Sequence, residues 1–303
     1  MAQVQGAGAP IVPARNYALK PPFSERARTT WRALSHNPTA MIGLTLILIL
    51  VSAAIFAPLT APFDPKEIDM MAMFDTSPSR THLLGTDENG RDILSIVIWG
   101  ARLDLLIAIS AVAVSLTIGT AIGAVSTYIG GMVDEVTMRL LDILQAFPRF
   151  IFAMGIAYAL GPGISTVVIA TAVLNIPGYA RLVRSVMLTV KDSQYAAAAR
   201  SIGARHRIIL MRHLLPNCLG PVFVMSTLQF GWAILEAAGL SFIGLGVEPS
   251  EAEWGAPSKI GFGEYLEGHW WVYTFPGLAS AIAVLGFNLL GDGLQDILDP
   301  RRR

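Results

Sequence analysis

The 303 residues contain one cysteine, Cys218, so no disulfide can form within the chain whatever its redox compartment. Charge is scarce as well. Asp, Glu, Lys and Arg make up 15% of the chain against 53% hydrophobic residues, a balance that a water-soluble domain rarely reaches. His36, His82, His206, His213 and His269 are scattered without metal-ligand spacing, so no catalytic or structural metal is indicated. The run Asp87, Glu88, Asn89, Gly90, Asp92 lacks the alternating carboxylates and distal Glu of a calcium loop, and reads as a capped, solvated turn. The pattern Gly-x-x-x-x-Gly-Lys-Ser/Thr is missing, so an ATP-driven step would need its nucleotide site, with ATP and Mg, on a separate polypeptide. No cofactor is expected in this chain, and no nucleic acid partner.

What is present is a set of long apolar runs. Segments at about 39–60, 102–129, 138–160, 164–185, 220–245 and 273–291 are each able to cross a hydrocarbon core, which takes roughly 20 helical residues. The expected fold is an all-α polytopic membrane protein with six transmembrane helices. Lys and Arg are sorted between alternate sides. One side holds Arg15, Lys20, Arg26, Arg28, Arg32, Arg139, Arg181, Arg184, Lys191, Arg200, Arg205, Arg207, Arg212 and Arg301–Arg303; the other holds Lys66, Arg80, Arg91 and Lys259. The positive-inside tendency puts both termini and the 186–219 loop in the cytoplasm and leaves an acidic outer face. The first apolar run starts after 38 residues and is longer than a signal-peptide core, so it reads as an uncleaved anchor behind a flexible tail.

Residues 195–217 (YAAAARSIGARHRIILMRHLLPN) form a basic, helix-forming block between these runs. Tyr195, Ala199 and Ile202 fall at i, i+4 and i+7, which predicts one mildly apolar face. Gly203 permits a sharp turn. Ile208, Met211 and Leu215 then repeat at helical spacing among Arg205, Arg207 and Arg212, and Pro216 is expected to stop the helix. In the second span Ala111, Ser115, Gly119, Gly123 and Thr127 place a small residue at every fourth position, the pattern that lets membrane helices approach closely.

Ionisable groups at membrane depth are costly and face a bundle interior or a wet cavity. Asp142, Gln145, Arg149, Glu236 and Asn288 are therefore candidates to line a path through the bundle. Asp142 and Arg149 are expected on one face of a single helix that Pro148 loosens. Arg149 either meets an anionic group in transit or makes a structural ion pair with Asp142 or Glu236.

The basic block is similar to the cytoplasmic loop motif of ABC importer permeases, in which Glu-Ala-Ala, a Gly and a later Leu-Pro recur. Ala198, Ala199, Gly203, Leu215 and Pro216 stand at matching places; Ala197 replaces the Glu, and His213 stands where an aliphatic residue is usual. HLLGTDENGRD (82–92), MRLLDILQAFP (138–148), PGYARLVRS (177–185) and EAAGLSFIGLG (236–246) narrow the resemblance to the C-type permease subunit of dipeptide, oligopeptide and nickel importers. That resemblance implies a type I ABC importer permease fold with a cytoplasmic coupling helix. It divides the chain into a tail (1–38), an amino-terminal helix and periplasmic loop module (39–97), a permease core (98–293) and a second tail (294–303).

The implied partners are a homologous second permease, two ATP-binding subunits, a periplasmic peptide-binding protein and the lipid of the bacterial inner membrane. Tyr195, Ala197, Ala198, Ala199, Gly203, Arg205, Arg207, Leu215 and Pro216 are the residues it implicates in ATPase coupling. The solute expected is a dipeptide or short peptide, with nickel complexes or other small solutes as the alternative. A secondary transporter would carry its own coupling-ion site and inverted repeats, which are not evident. An intramembrane protease built on Asp142 and Asp292 matches such sites only in part.

Overall fold

The computed structural model describes residues 32–73, 76–264 and 268–298; most of the expected amino-terminal tail (1–38), the end of the carboxy-terminal tail (294–303) and the basic residues there lie outside these ranges. Asn37 starts the long helix α1 (Pro38–Thr60). Its side-chain oxygen accepts the amides of Thr39 (3.1 Å) and Ala40 (3.2 Å). Pro38 follows at the start of the helix, where a missing N–H costs nothing. Asp92 does the same for α2 (Ile93–Ile129), accepting the Ser95 amide at 2.7 Å. This cap lies ahead of the expected start near 102, because residues 93–101 are themselves apolar and bury Ile93, Ile96 and Ala101. At 37 residues α2 is about 55 Å long, so it outruns the hydrocarbon layer.

The chain continues through α3 (Gly131–Ala146), α4 (Arg149–Leu160) and α5 (Ile164–Val190). A short α6 (Gln194–Ser201) precedes α7 (His206–Ile208), which runs through a π-helical turn, Ile209–Leu214, into α8 (Leu215–Phe242). Last come α9 (Gly255–Glu264) and α10 (Trp271–Leu298). Five helical runs among the described residues are long and apolar enough to span a membrane: α1, α2, α5, the continuous His206–Phe242 and α10. The third expected span is not straight. It is the pair α3 and α4, bent by 89°. The cause is Pro148, whose ring and missing amide hydrogen push Phe147 into an extended conformation (φ −79°, ψ 141°).

The small-residue ridge of α2 packs closely against α5. Ala111, Ser115 and Thr127 are fully buried. A Cβ on Gly119 would lie 2.6 Å from Cβ of Tyr179 and 2.7 Å from the Ile176 carbonyl, both on α5. One on Gly123 would strike the carbonyl of Ala180. α1 leans on α10 in the same way: a Cβ on Gly43 would lie 2.7 Å from the Gly286 carbonyl. Leu50, Ala54 and Ala57 of α1 are buried as well, while Ile42, Leu48, Ile49, Ile55, Phe56 and Leu59 are exposed, as the lipid-facing side of a helix should be.

The loops that join α1 to α2 and α8 to α10 meet at one end of the bundle. Residues 82–92 are indeed capped there, but only in part solvated: Asp87, Gly90, Arg91 and Asp92 are buried, while Glu88 and Asn89 are exposed. Asp87, 1% exposed, accepts the Asn89 and Arg91 amides (3.0 and 2.8 Å) and the Arg91 side chain, which also donates to the Pro249 carbonyl at 2.7 Å. Arg91→Ala would leave Asp87 buried without its cation, an expected loss of about 3 kcal/mol visible as a lowered melting temperature in detergent.

Nearby, Glu253 is fully buried and accepts the amides of Gly255 (2.7 Å) and Ala256. Burial pushes its carboxyl up to about 7 from 4.5, despite those amides. The folded state thus holds a proton that the unfolded chain has already released, so stability falls as pH rises across that interval. Glu253→Gln should flatten this slope in a series of melting curves from about pH 5 to about pH 8.

Candidate functional site

The end opposite those loops carries the basic hook. α6 stops because Gly203 takes a left-handed conformation (φ +74°), letting the Ala204 amide reach back to the Ala199 carbonyl at 3.1 Å. The chain then folds against itself: Ala196 and Ala199 pack on Ile209, Leu214 and Cys218, and on Val183 and Met187 of α5. The Tyr128 hydroxyl at the end of α2 shares a 2.7 Å hydrogen bond with Nδ1 of His206, and Asn217 of α8 donates to the Tyr195 hydroxyl at 3.3 Å. The hook is therefore tied to α2, α5 and α8 at once.

Its faces differ from those that the spacing predicts. Tyr195 and Ile202 point outward while Ala199 points inward beside Ala196. On the second limb Ile208 and Met211 are exposed together and Leu215 is half-buried, while Ile209 and Leu214, five residues apart across the wide π turn, are buried. Nor does Pro216 stop the helix. It stands in the first turn of α8, where its absent N–H is not needed, and the run continues to Phe242. Ala197, Ala198, Gly203, Arg205, Arg207 and Pro216 are exposed and Leu215 is half-buried. The outward surface combines Tyr195, Ile202, Ile208 and Met211 with Arg205, Arg207 and Arg212.

The second polar feature lies at the α3–α4 break. Because of the bend, Asp142 and Arg149 do not share a helix face. Asp142 accepts from Arg181 of α5 at 2.9 Å, and Asp134 pairs with Arg184 at 2.8 Å. Arg149 instead donates through Nε to Glu236 of α8 and through Nη2 to Oδ1 of Asn175 on α5 (2.6 Å). With Gln145, Arg149 borders a cavity of about 470 Å³ under the break. Asn288 is elsewhere, on a groove of about 570 Å³ between α8 and α10. Asn175, Arg181 and Arg184 were not singled out from spacing as partners. The available signal was the presence of such groups in otherwise apolar helices, where each needs a counterpart.

Comparison with known proteins decides what this arrangement belongs to. Residues 115–303 match the family described as "Binding-protein-dependent transport system inner membrane component", and residues 26–78 match the "N-terminal TM domain of oligopeptide transport permease C". The chain belongs to the binding-protein-dependent transport permeases. Among this permease's relatives is the di/tripeptide transport system permease protein DppC of Pseudomonas aeruginosa, 42% identical over 89% of this chain and 91% of that one. The probable D,D-dipeptide transport system permease protein DdpC of Escherichia coli is 38% identical over 91% of each. A chain of the inward-facing MetNI methionine ABC transporter superposes with a TM-score of 0.53 at 17% identity, covering 67% of the permease and 97% of that chain. At that identity the likeness shows the fold, that of the type I ABC importer permeases.

Proposed function

We propose that this permease carries dipeptides or short peptides across the bacterial inner membrane by alternating access, driven by ATP hydrolysis on separate subunits. The hook carries this reading. Its inner face is packed onto three membrane helices, while its tip presents Ile202, 85% exposed, amid arginines. An exposed apolar tip on a rigid lever fits a partner that seats the side chain and moves the helices with it. The full complex is then this chain, a homologous second permease, two ATP-binding subunits that hold ATP and Mg, and a periplasmic peptide-binding protein, with the hook and both termini in the cytoplasm. The peptide assignment draws on the relatives named for di- and tripeptides.

Orientation is open to a direct test. Cys218 is the sole cysteine and is buried, so Cys218→Ser with Ile202→Cys creates one exposed thiol. A membrane-impermeant maleimide should label it in inverted vesicles stripped of peripheral subunits and leave it untouched in intact spheroplasts. Labelling from outside would put the hook on the wrong side for ATPase coupling. Purification through a tag on this chain should also bring down an ATPase, and uptake of dialanine into proteoliposomes should require it; uptake by the chain alone would end the proposal.

A further inference from the structure

The α3–α4 break leaves an arginine half in the open at membrane depth, and its surroundings are those of a binding group rather than of a closed ion pair. A guanidinium has five N–H donors. In Arg149 the Nε–H goes to Glu236 and one N–H of Nη2 to Asn175; Nη1 has no partner among the described residues. The amide nitrogen of Asn175 donates to the Thr171 carbonyl at 3.0 Å, which turns the Asn175 oxygen toward the arginine. The guanidinium is thus pinned from behind by residues of α5 and α8. Glu236 has a side chain 8% exposed, yet its Oε2 has no partner. An ion pair kept for structure alone fills such positions, since desolvating both charges otherwise goes uncompensated. The Arg149 side chain itself is 43% exposed and borders the 470 Å³ cavity with Gln145, Phe147, Phe152 and Leu174.

We infer that Arg149 receives the carboxylate of the solute in transit, with Glu236 and Asn175 holding its guanidinium in place. The inference rests on the peptide-permease reading above. The unused Nη1 and Nη2 donors form a fork that matches a planar carboxylate. Glu236 offsets the arginine's charge, so the anion is held weakly enough to leave, as passage through a path requires. The remaining cavity wall is largely apolar and makes no demand on a particular side chain.

The test uses the complete complex in proteoliposomes and compares dialanine with dialanine amide, whose carboxylate is blocked. R149Q should lower dialanine uptake about tenfold, the loss expected from removing a charge-assisted fork, while uptake of the amide changes little. The acid-to-amide ratio therefore falls, and the binding protein's own preference cancels because it is the same in both complexes. R149K, which keeps the charge without the fork, should lie between. An unchanged ratio overturns the inference, whether both uptakes persist or both fall. Should R149Q fail to assemble, the exchange R149E/E236R keeps the pair: recovery of the complex without dialanine uptake supports the inference, and recovery of both overturns it. A wild-type complex that moves no peptide refutes the functional reading itself; wild-type uptake with an unmoved ratio refutes only the role of Arg149.

Discussion

Ile202→Asp should uncouple transport from ATP hydrolysis while leaving the permease folded. Ile202 is the most exposed large apolar side chain of the hook, so the change reaches no core contact, and surface substitutions of this kind shift stability by about 0.5 kcal/mol or less. In a docked partner the same carboxylate would be desolvated in a seat that fits an apolar side chain. Central apolar anchors of interfaces are worth about 2 kcal/mol or more, which is roughly a thirtyfold loss of affinity. The measurement is peptide-stimulated ATP hydrolysis together with ATPase recovery on a tag. Normal coupling in Ile202→Asp would mean that the tip of the hook is not the contact. Gly203→Pro should act on the same step by another route. Proline's ring holds φ near −65°, and the turn needs +74°, so the two limbs of the hook lose their mutual packing. Ala→Gly at the inward Ala199 should by contrast only loosen the hook.

Gly123→Val should prevent accumulation of the folded permease altogether. The obstacle at Gly123 is the carbonyl of Ala180, a backbone atom of α5 that cannot rotate away as a flexible side chain could. The helices would have to separate along their tightest contact, in a setting where lipid supplies no hydrophobic drive to hold them. A cost of about 3 kcal/mol or more follows from overpacking against backbone. Gly155→Ala on α4 is the control: nothing lies within 4 Å of its added Cβ, and alanine favours the helix by about 1 kcal/mol. Quantifying protein extracted from membranes, and its melting temperature, separates the two. Equal yields for both variants would show that the α2–α5 contact is looser than the structure has it.

Much of this was legible in the residues because it depends on local quantities. Apolar run length fixes which segments can cross a membrane, and it does so whatever they pack against. The four-residue spacing from Ala111 to Thr127 predicts a close helix contact, and the structure places α5 against it. The hook's turn at Gly203 follows from the absence of a Cβ at a positive φ. Residues 82–92 mark the limit of this approach. Their turn chemistry is local and was legible, but the burial of Thr86 and Arg91 is not, since it involves residues remote in sequence: Trp271 donates to the Thr86 carbonyl and Pro249 accepts from Arg91.

Composition, run length and charge sorting were thus enough to specify a polytopic helical membrane protein with one basic end, because each is a property of neighbouring residues; the permease family came from its resemblance in motifs. The tertiary structure alone decided which side chains meet. Asp142 turns to Arg181, and Arg149 to Glu236, 87 residues away, because an 89° bend at Pro148 carries two residues once expected on one face in different directions. The π turn at Ile209–Leu214 likewise puts Ile209 and Leu214, five residues apart, on the buried side of the hook. Periodicity assumes an unbroken helix, and at both places a single irregular turn resets the register from which every later orientation is counted.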